Sequence, residues 1–196
     1  DQYNESLKLK PDYWYAINRI GDIYTIVGRL NEADKQYNLG MTKMVMSNQV
    51  RATHLATEAV LQYYRGKYQE TIRLCEQSLA LDSANGKAAY VWVRALLELK
   101  RFQEAEEIIR AIREEIARRN LTESQAMLEF HILRARFFRE QNMFAEATAE
   151  CDSAFEYGTE LNRSAVYEEL AEIHFRKHDF ESALDARVEI SGIIES

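Results

Sequence analysis

The sequence is poor in the residues that break helices, with one Pro and seven Gly among 196 residues. Folds built from many tight turns need more of both residues, so the scarcity favours a nearly all-helical chain. Basic residues are also outnumbered by acidic ones, and the net charge of −7 argues against nucleic acid as the main partner. No apolar run approaches the roughly 20 residues that cross a bilayer, and the first residues do not have the pattern expected of a signal peptide.

Motifs for catalysis and for metal or cofactor binding are missing as well. The glycines are scattered singly, and the pairs Gly66-Lys67 and Gly86-Lys87 lack the spacing of a phosphate-binding loop. His174 and His178 have a spacing that zinc sites use, but no Cys or third His is near them in the sequence. We therefore expect no enzymatic activity, no cofactor and no metal, with these two His residues at a core edge and in a turn.

The chain does contain one sequence pattern that is repeated five times. Each copy has a turn residue, a ring or Leu two residues later, and then a predicted amphipathic helix. Internal repetition at intervals of this length is typical of solenoid proteins, in which each repeat covers the apolar face of its neighbour. The five copies are GRLNEADKQYNLG from Gly28, GKYQETIRLCEQSLALDSAN from Gly66, KRFQEAEEIIRAI from Lys100, NMFAEATAECDSA from Asn142 and HDFESALDARVEI from His178.

Three positions define the register of the copies. A small residue recurs inside the helix at intervals of 38, 34, 42 and 36 residues: Ala33, Thr71, Ala105, Ala147 and Ala183. Three residues earlier stands a ring or Leu: Leu30, Tyr68, Phe102, Phe144 and Phe180. Twelve residues earlier stands a Gly or Ala in every copy but the third: Gly21, Ala59, Val93, Ala135 and Ala171. This pattern resembles the tetratricopeptide repeat, a helix-turn-helix unit of 34 residues.

The resemblance implies an all-α, right-handed superhelical solenoid of antiparallel helix pairs, with a leading half repeat and five full repeats, eleven helices in all. The expected boundaries are 1–13 for the half repeat and 14–51, 52–85, 86–127, 128–163 and 164–196 for the repeats. Pro11 falls on the family's terminal Pro and Asp1 is not an initiator Met, so we expect a segment of a longer protein. Cys75 and Cys151 occupy equivalent places in non-adjacent repeats, too far apart for a disulfide, which indicates a reducing, cytoplasmic location.

The resemblance also implies a binding surface, because the first helix of each pair lines the concave groove in this family. Tyr and Arg dominate binding hot spots, and the basic residues among the groove positions indicate an acidic peptide. The alternative is that the arginines pair with neighbouring Glu129 or Glu98 and bind nothing. The groove residues predicted in this way are Tyr15, Asn18, Tyr63, Lys87, Tyr90, Arg94, Ile132, Arg136 and Arg139.

One ligand class of the family is disfavoured. Members that hold chaperone C-termini use a clamp of Lys, Asn and Arg, and the corresponding places here are Asn18, Asp22, Thr57, Lys87 and Val91. Only Lys87 fits.

The expected function is a non-catalytic scaffold that binds a peptide or partner segment in the concave groove. One alternative is homo-oligomerisation through the terminal helices, since the last helix keeps Ile190, Ile193 and Ile194 near an uncapped end. Another is a regulatory or sensor segment of a larger signalling enzyme or transcription regulator. A chain with a second catalytic or DNA-binding domain would favour that last reading.

Overall fold

The computed structural model describes residues 2–10, 13–42, 47–121, 125–159 and 162–195, with side chains as far as residue 192. Pro11 and the side chains of Ile193 and Ile194 lie outside the described residues. Within these ranges the chain forms eleven α-helices and no strand, which confirms the all-α prediction. The helices are α1 (Gln2–Leu9), α2 (Trp14–Ile26), α3 (Leu30–Thr42), α4 (Asn48–Tyr64), α5 (Tyr68–Leu81), α6 (Gly86–Glu98), α7 (Phe102–Arg118), α8 (Gln125–Glu140), α9 (Phe144–Tyr157), α10 (Ser164–Arg176) and α11 (Phe180–Glu195).

The helices form two compact units. Unit 1 is Asp1–Leu99 and contains α1 to α6, and unit 2 is Lys100–Ser196 and contains α7 to α11. Within unit 1, α2 packs on α3 and α4 on α5; within unit 2, α8 packs on α9 and α10 on α11. Each unit is thus a stretch of helical solenoid made of antiparallel pairs. The boundary between the units falls in the turn between α6 and α7, inside the predicted repeat 86–127.

The turn inside each pair has one backbone conformation. In the second pair, Gly66 has a φ of 73°, and the N–H of Lys67 donates to the carbonyl of Gln62 at 2.9 Å. A left-handed residue followed by this long backward hydrogen bond is the Schellman ending of a helix. The next helix then begins at the ring or Leu that marks each repeat. The left-handed residues that precede these starts are Gly28, Gly66, Lys100, Asn142 and His178.

Small residues allow the helices of a pair to cross closely. Ala105 and Ala147 are fully buried, as their place in the repeat predicts. Gly21 shows one such close approach, since a Cβ atom there would lie 2.5 Å from Cε1 of Tyr37. The Tyr37 ring fills the space that the glycine leaves, and its hydroxyl donates to Oδ1 of Asp22 at 2.8 Å. A larger side chain at Gly21 would collide with this ring, which explains why the repeat has a small residue at this place.

Hydrogen-bonding side chains cap the N-termini of α4 and α6, each of which is the first helix of its pair. Oγ of Ser47 accepts from the N–H of Val50 at 3.2 Å at the start of α4, and Oδ1 of Asn85 accepts from the N–H of Ala88 at 3.2 Å at the start of α6. These bonds satisfy donors that the first helical turn leaves open. As a result α4 begins at Asn48, ahead of the predicted repeat start at residue 52.

Candidate functional site

The first helices of unit 1 are joined by a polar link that includes one of the predicted groove residues. Nζ of Lys87 on α6 lies 3.2 Å from Oγ1 of Thr57 on α4 and 3.7 Å from Oδ1 of Asp22 on α2. Burial lowers the pKa of Lys87, although the charge of Asp22 acts in the opposite direction. The positive charge of Lys87 is therefore matched within the unit, and its side chain remains 38% exposed.

A second cluster on α4 and α6 contains Tyr63 and Arg94. The guanidinium carbon of Arg94 lies 4.4 Å from the ring centroid of Tyr63 and 5.8 Å from that of Tyr64. The Tyr63 hydroxyl donates to Oε1 of Glu98 at 3.0 Å. A guanidinium over a tyrosine face is held by cation–π attraction, which keeps the cation oriented without neutralising it. Tyr64 is 47% exposed, so this cluster presents aromatic and basic groups together.

The other predicted residues of unit 1 are more scattered. Tyr15 is 43% exposed near the start of α2, with the Arg19 guanidinium 5.3 Å from its ring centroid. Asn18 is half-buried, and its side chain lies against Gly40 of α3, where a Cβ atom would collide with it. Tyr90 is half-buried on α6. The described residues thus bring Tyr63 and Arg94 into contact, whereas Tyr15 lies in an aromatic cluster of its own at the start of α2.

In unit 2, helix α8 carries three of the predicted groove residues, Ile132, Arg136 and Arg139. The resemblance places Arg139 on an open surface, but it is only 7% exposed. Nε of Arg139 lies 3.1 Å from Oε1 of Glu169, and Nη2 of Arg136 lies 3.1 Å from Oε2 of the same carboxylate. Glu169, on α10, is 2% exposed. Arg139 is buried because α10 packs along this face of α8, a contact that local periodicity does not reveal.

The buried pair belongs to a wider network of charges in unit 2. Oε1 of Glu140 lies 3.1 Å from Nη2 of Arg139 and 2.8 Å from Nη2 of Arg176, and its Oε2 lies 2.7 Å from Nζ of Lys100. Burial opposes ionisation of Glu140, but hydrogen bonds from Lys100 and Arg176 outweigh it and hold the pKa of Glu140 below its ordinary value. The partners of Arg136 and Arg139 are therefore Glu169 and Glu140, not the neighbouring Glu129.

In the described part of the chain, no three or more His, Cys, Asp or Glu side chains are grouped so as to hold a metal ion. Nδ1 of His174 lies 3.1 Å from Oδ2 of Asp179, which gives this imidazole a partner beside the turn. Cys75 and Cys151 are free and buried. None of the described helices is both long enough and apolar enough to cross a membrane.

Comparison with known proteins agrees with this geometry. Residues 63–128 match the family model described as tetratricopeptide repeat. This stretch, about a third of the chain, is similar to tetratricopeptide repeats. The matched stretch runs from Tyr63 in α4 to Leu128 in α8, and so includes the left-handed turns at Gly66 and Lys100. No curated protein sequence matches the chain.

Solved structures extend the likeness of fold to nearly the whole chain. BtubC (BKLC) from P. vanneervenii is 14% identical with a TM-score of 0.61, over 99% of this chain and 86% of that one. A tetratricopeptide repeat protein from Parabacteroides merdae is 15% identical with a TM-score of 0.61, over 97% and 70%. MamA from Desulfovibrio magneticus is 14% identical with a TM-score of 0.52, over 93% and 95%. At these identities the likeness concerns the fold alone.

Proposed function

We propose that the chain is a non-catalytic protein-interaction scaffold and that the first helices of unit 1 hold a segment of its partner. The tetratricopeptide repeat is an interaction fold, which supports the general function. The surface proposed for the partner consists of Tyr63, Tyr64 and Arg94, with Glu98 at its edge, and is called the tyrosine–arginine face below. Asn18, Tyr15 and Tyr90 are the further predicted contacts on the first helices of this unit.

The observation that carries the proposal is the stacking of Arg94 on Tyr63 beside the exposed ring of Tyr64. Tyrosine and arginine are the residue types most enriched in binding hot spots, because each offers a large rigid contact area and a directional polar group. The stacking holds Arg94 in place before a partner arrives, which lowers the entropy lost on binding.

The partner segment is proposed to carry a carboxylate for Arg94. Lys87 and Arg139 already have carboxylates of this chain as partners, and Arg136 shares Glu169 with Arg139. Arg94 instead faces aromatic rings, and it forms no ion pair with any residue that the structure describes. An acidic side chain or a chain terminus of the partner would satisfy this cation.

The test is a selection of random displayed peptides on the purified chain, followed by fluorescence polarisation with the selected sequences. A Tyr64→Ala/Arg94→Gln variant should bind them at least tenfold more weakly. Arg73→Gln/Gln77→Ala is the matched control, because both residues are exposed on the second helix α5. Equal affinity for wild type and for the Tyr64→Ala/Arg94→Gln variant, with circular dichroism unchanged, would show that partners bind elsewhere.

Self-association is a second candidate function, favoured by a specific surface at the end of unit 2. Phe175 and Phe180 are each 58% exposed, Leu184 is 64% exposed and Val188 is 60% exposed. The first three side chains border a cavity of about 350 Å³ between α10 and α11. Exposed apolar patches of this kind mark interaction sites. Sedimentation equilibrium should show a monomer for Leu184→Glu/Val188→Glu and a concentration-dependent mass for the wild type; a monomeric wild type would exclude this candidate.

A further inference from the structure

A cleft with a basic rim and an aromatic floor lies between α7 and α8 in unit 2. Its volume is about 190 Å³. Phe130, Phe137 and Phe138 form the floor, and Arg110, Arg113 and Arg134 stand at the rim together with one acid, Glu106. We call this site the basic cleft.

The charges of the basic cleft are only partly matched by the protein. Nη1 of Arg134 lies 2.9 Å from Oε1 of Glu150, and its guanidinium carbon lies 5.4 Å from the ring centroid of Phe138. Arg110 and Arg113 are exposed, and neither takes part in an ion pair with any residue that the structure describes. Two arginines one helical turn apart therefore offer their charges to an external anion. On a chain of net charge −7 this local excess stands out.

The floor of the cleft supplies an apolar contact beside these charges. Phe130 is 2% exposed and Phe137 is 8% exposed, and the ring of Phe102 packs edge-on against Phe137 at 6.5 Å. The floor is thus held by the core. An engineered apolar cavity of about 150 Å³ is large enough to hold benzene. The basic cleft therefore has room for one leucine- or phenylalanine-sized side chain.

The basic cleft is separate from the predicted first-helix groove. Successive residues of an α-helix are turned by about 100°, so positions two apart point in nearly opposite directions. Arg134 accordingly lies across α8 from Ile132 and Arg136, which belong to the predicted groove. The remaining wall of the cleft comes from α7, the second helix of its pair.

We propose that the basic cleft binds an acidic peptide segment of a partner protein, with one apolar side chain over the phenylalanine floor and flanking carboxylates on Arg110 and Arg113. Charge complementarity selects an acidic partner, and the apolar floor selects a peptide over a free anion. Nucleic acid is disfavoured because the rim offers few cations on a strongly acidic chain. This site is independent of the tyrosine–arginine face.

The test uses the full chain and three labelled peptides in fluorescence polarisation: Glu-Glu-Leu-Phe-Glu-Glu, its all-Gln counterpart, and a counterpart with Gly-Gly at the centre. The first peptide should bind wild type in a salt-sensitive way and at least tenfold more tightly than the other two. Arg110→Gln/Arg113→Gln should weaken it at least tenfold. The matched control is Arg118→Gln/Arg119→Gln, which removes the same charge from the end of the same helix and should bind like wild type.

Three results would overturn the proposal. The first is equal affinity of the acidic peptide for wild type and Arg110→Gln/Arg113→Gln, and the second is no binding to wild type at millimolar peptide. The third is equal binding of the Gly-Gly peptide, which would reduce the site to unspecific charge attraction. Tyr64→Ala/Arg94→Gln should leave affinity for the acidic peptide unchanged, so failure of the basic cleft and failure of the tyrosine–arginine face are distinguishable.

Discussion

Replacing Glu169 by Gln should destabilise unit 2 although the two side chains have almost the same volume. The reason is that the change removes one buried negative charge. Glu169 is 2% exposed and lies within 3.1 Å of both Arg136 and Arg139. Arg136 is 29% exposed and can be hydrated in the variant. Arg139 is 9% exposed along its side chain and cannot. The variant therefore leaves one buried cation without one of the two carboxylates that lie 3.1 Å from it.

The magnitude follows from what remains around Arg139. Removing one partner of a buried ion pair costs about 3–5 kcal/mol, whereas an exposed pair contributes about 1 kcal/mol or less. Glu140 stays 3.1 Å from Arg139, which places the expected loss near the lower limit, at about 3 kcal/mol. For a chain of this size, that loss lowers Tm by about 6–12 °C.

The assay is urea and thermal unfolding followed by helical circular dichroism. Tryptophan fluorescence comes from Trp14 and Trp92, both in unit 1, so it shows whether the loss is confined to unit 2. Glu168→Gln is the matched control, since that neighbour is exposed and should change stability by about 0.5 kcal/mol or less. If Glu169→Gln is as stable as Glu168→Gln, the reasoning about the buried cation is refuted.

Four further predictions concern pH, turns and helix crossings. The depressed pKa of Glu140 stabilises the fold above the ordinary Glu range, and this stability is lost as pH falls through the folded pKa; acid titration should therefore lower Tm more steeply in wild type than in Glu140→Gln. Gly21→Ala should cost about 1–3 kcal/mol in urea unfolding, because the new methyl group meets Tyr37; an unchanged midpoint would contradict the close crossing. Gly66→Ala should cost about 1 kcal/mol by the same measurement although no atom lies near the new methyl group, because φ is positive there; no loss would rule out backbone strain. Ala147→Arg should destabilise unit 2 severely, and an unchanged Tm would contradict the placement of Ala147 at a helix crossing.

The repeat pattern predicted the helices well, because the features that define them are local. Each second helix begins at the ring or Leu that the repeats share, including Tyr68 and Phe102. The turn before it needs a residue with left-handed backbone conformation. Glycine favours this conformation, so Gly66 can be recognised in the sequence, whereas Lys100 cannot. The conformation persists at Lys100 because the hydrogen bonds of the helix end fix it, at a modest energetic cost. Glycine content alone would therefore have missed three of the five turns.

The candidate site was less predictable, because its contacts join residues far apart in the sequence. The sequence offered Glu129 and Glu98 as partners of the arginines, both close by along the chain. Arg136 instead pairs with Glu169 on the next first helix, and Lys87 pairs with Asp22 across two repeats. Such pairings depend on the rotation of one helix against another, which periodicity within a single helix does not fix.

The position of the basic cleft could not be predicted from the sequence either. Arg110 and Arg113 belong to a second helix, whereas the family resemblance directs attention to first helices. The amphipathic pattern of α7 only indicates that both arginines are on its polar face. Their position beside Phe130 depends on how α7 packs on α8, and this becomes visible only in three dimensions.

The two buried cysteines give each unit a chemical reporter of its own opening. Cys75 lies in unit 1 and Cys151 in unit 2, and both are 0% exposed. Burial raises the pKa of Cys75 to about 12 and also raises the pKa of Cys151, so the native thiols react slowly with disulfide reagents. Labelling then requires the local helix pair to separate. The labelling rates of the unmodified protein would rank the opening free energies of the two units and identify the one that opens first.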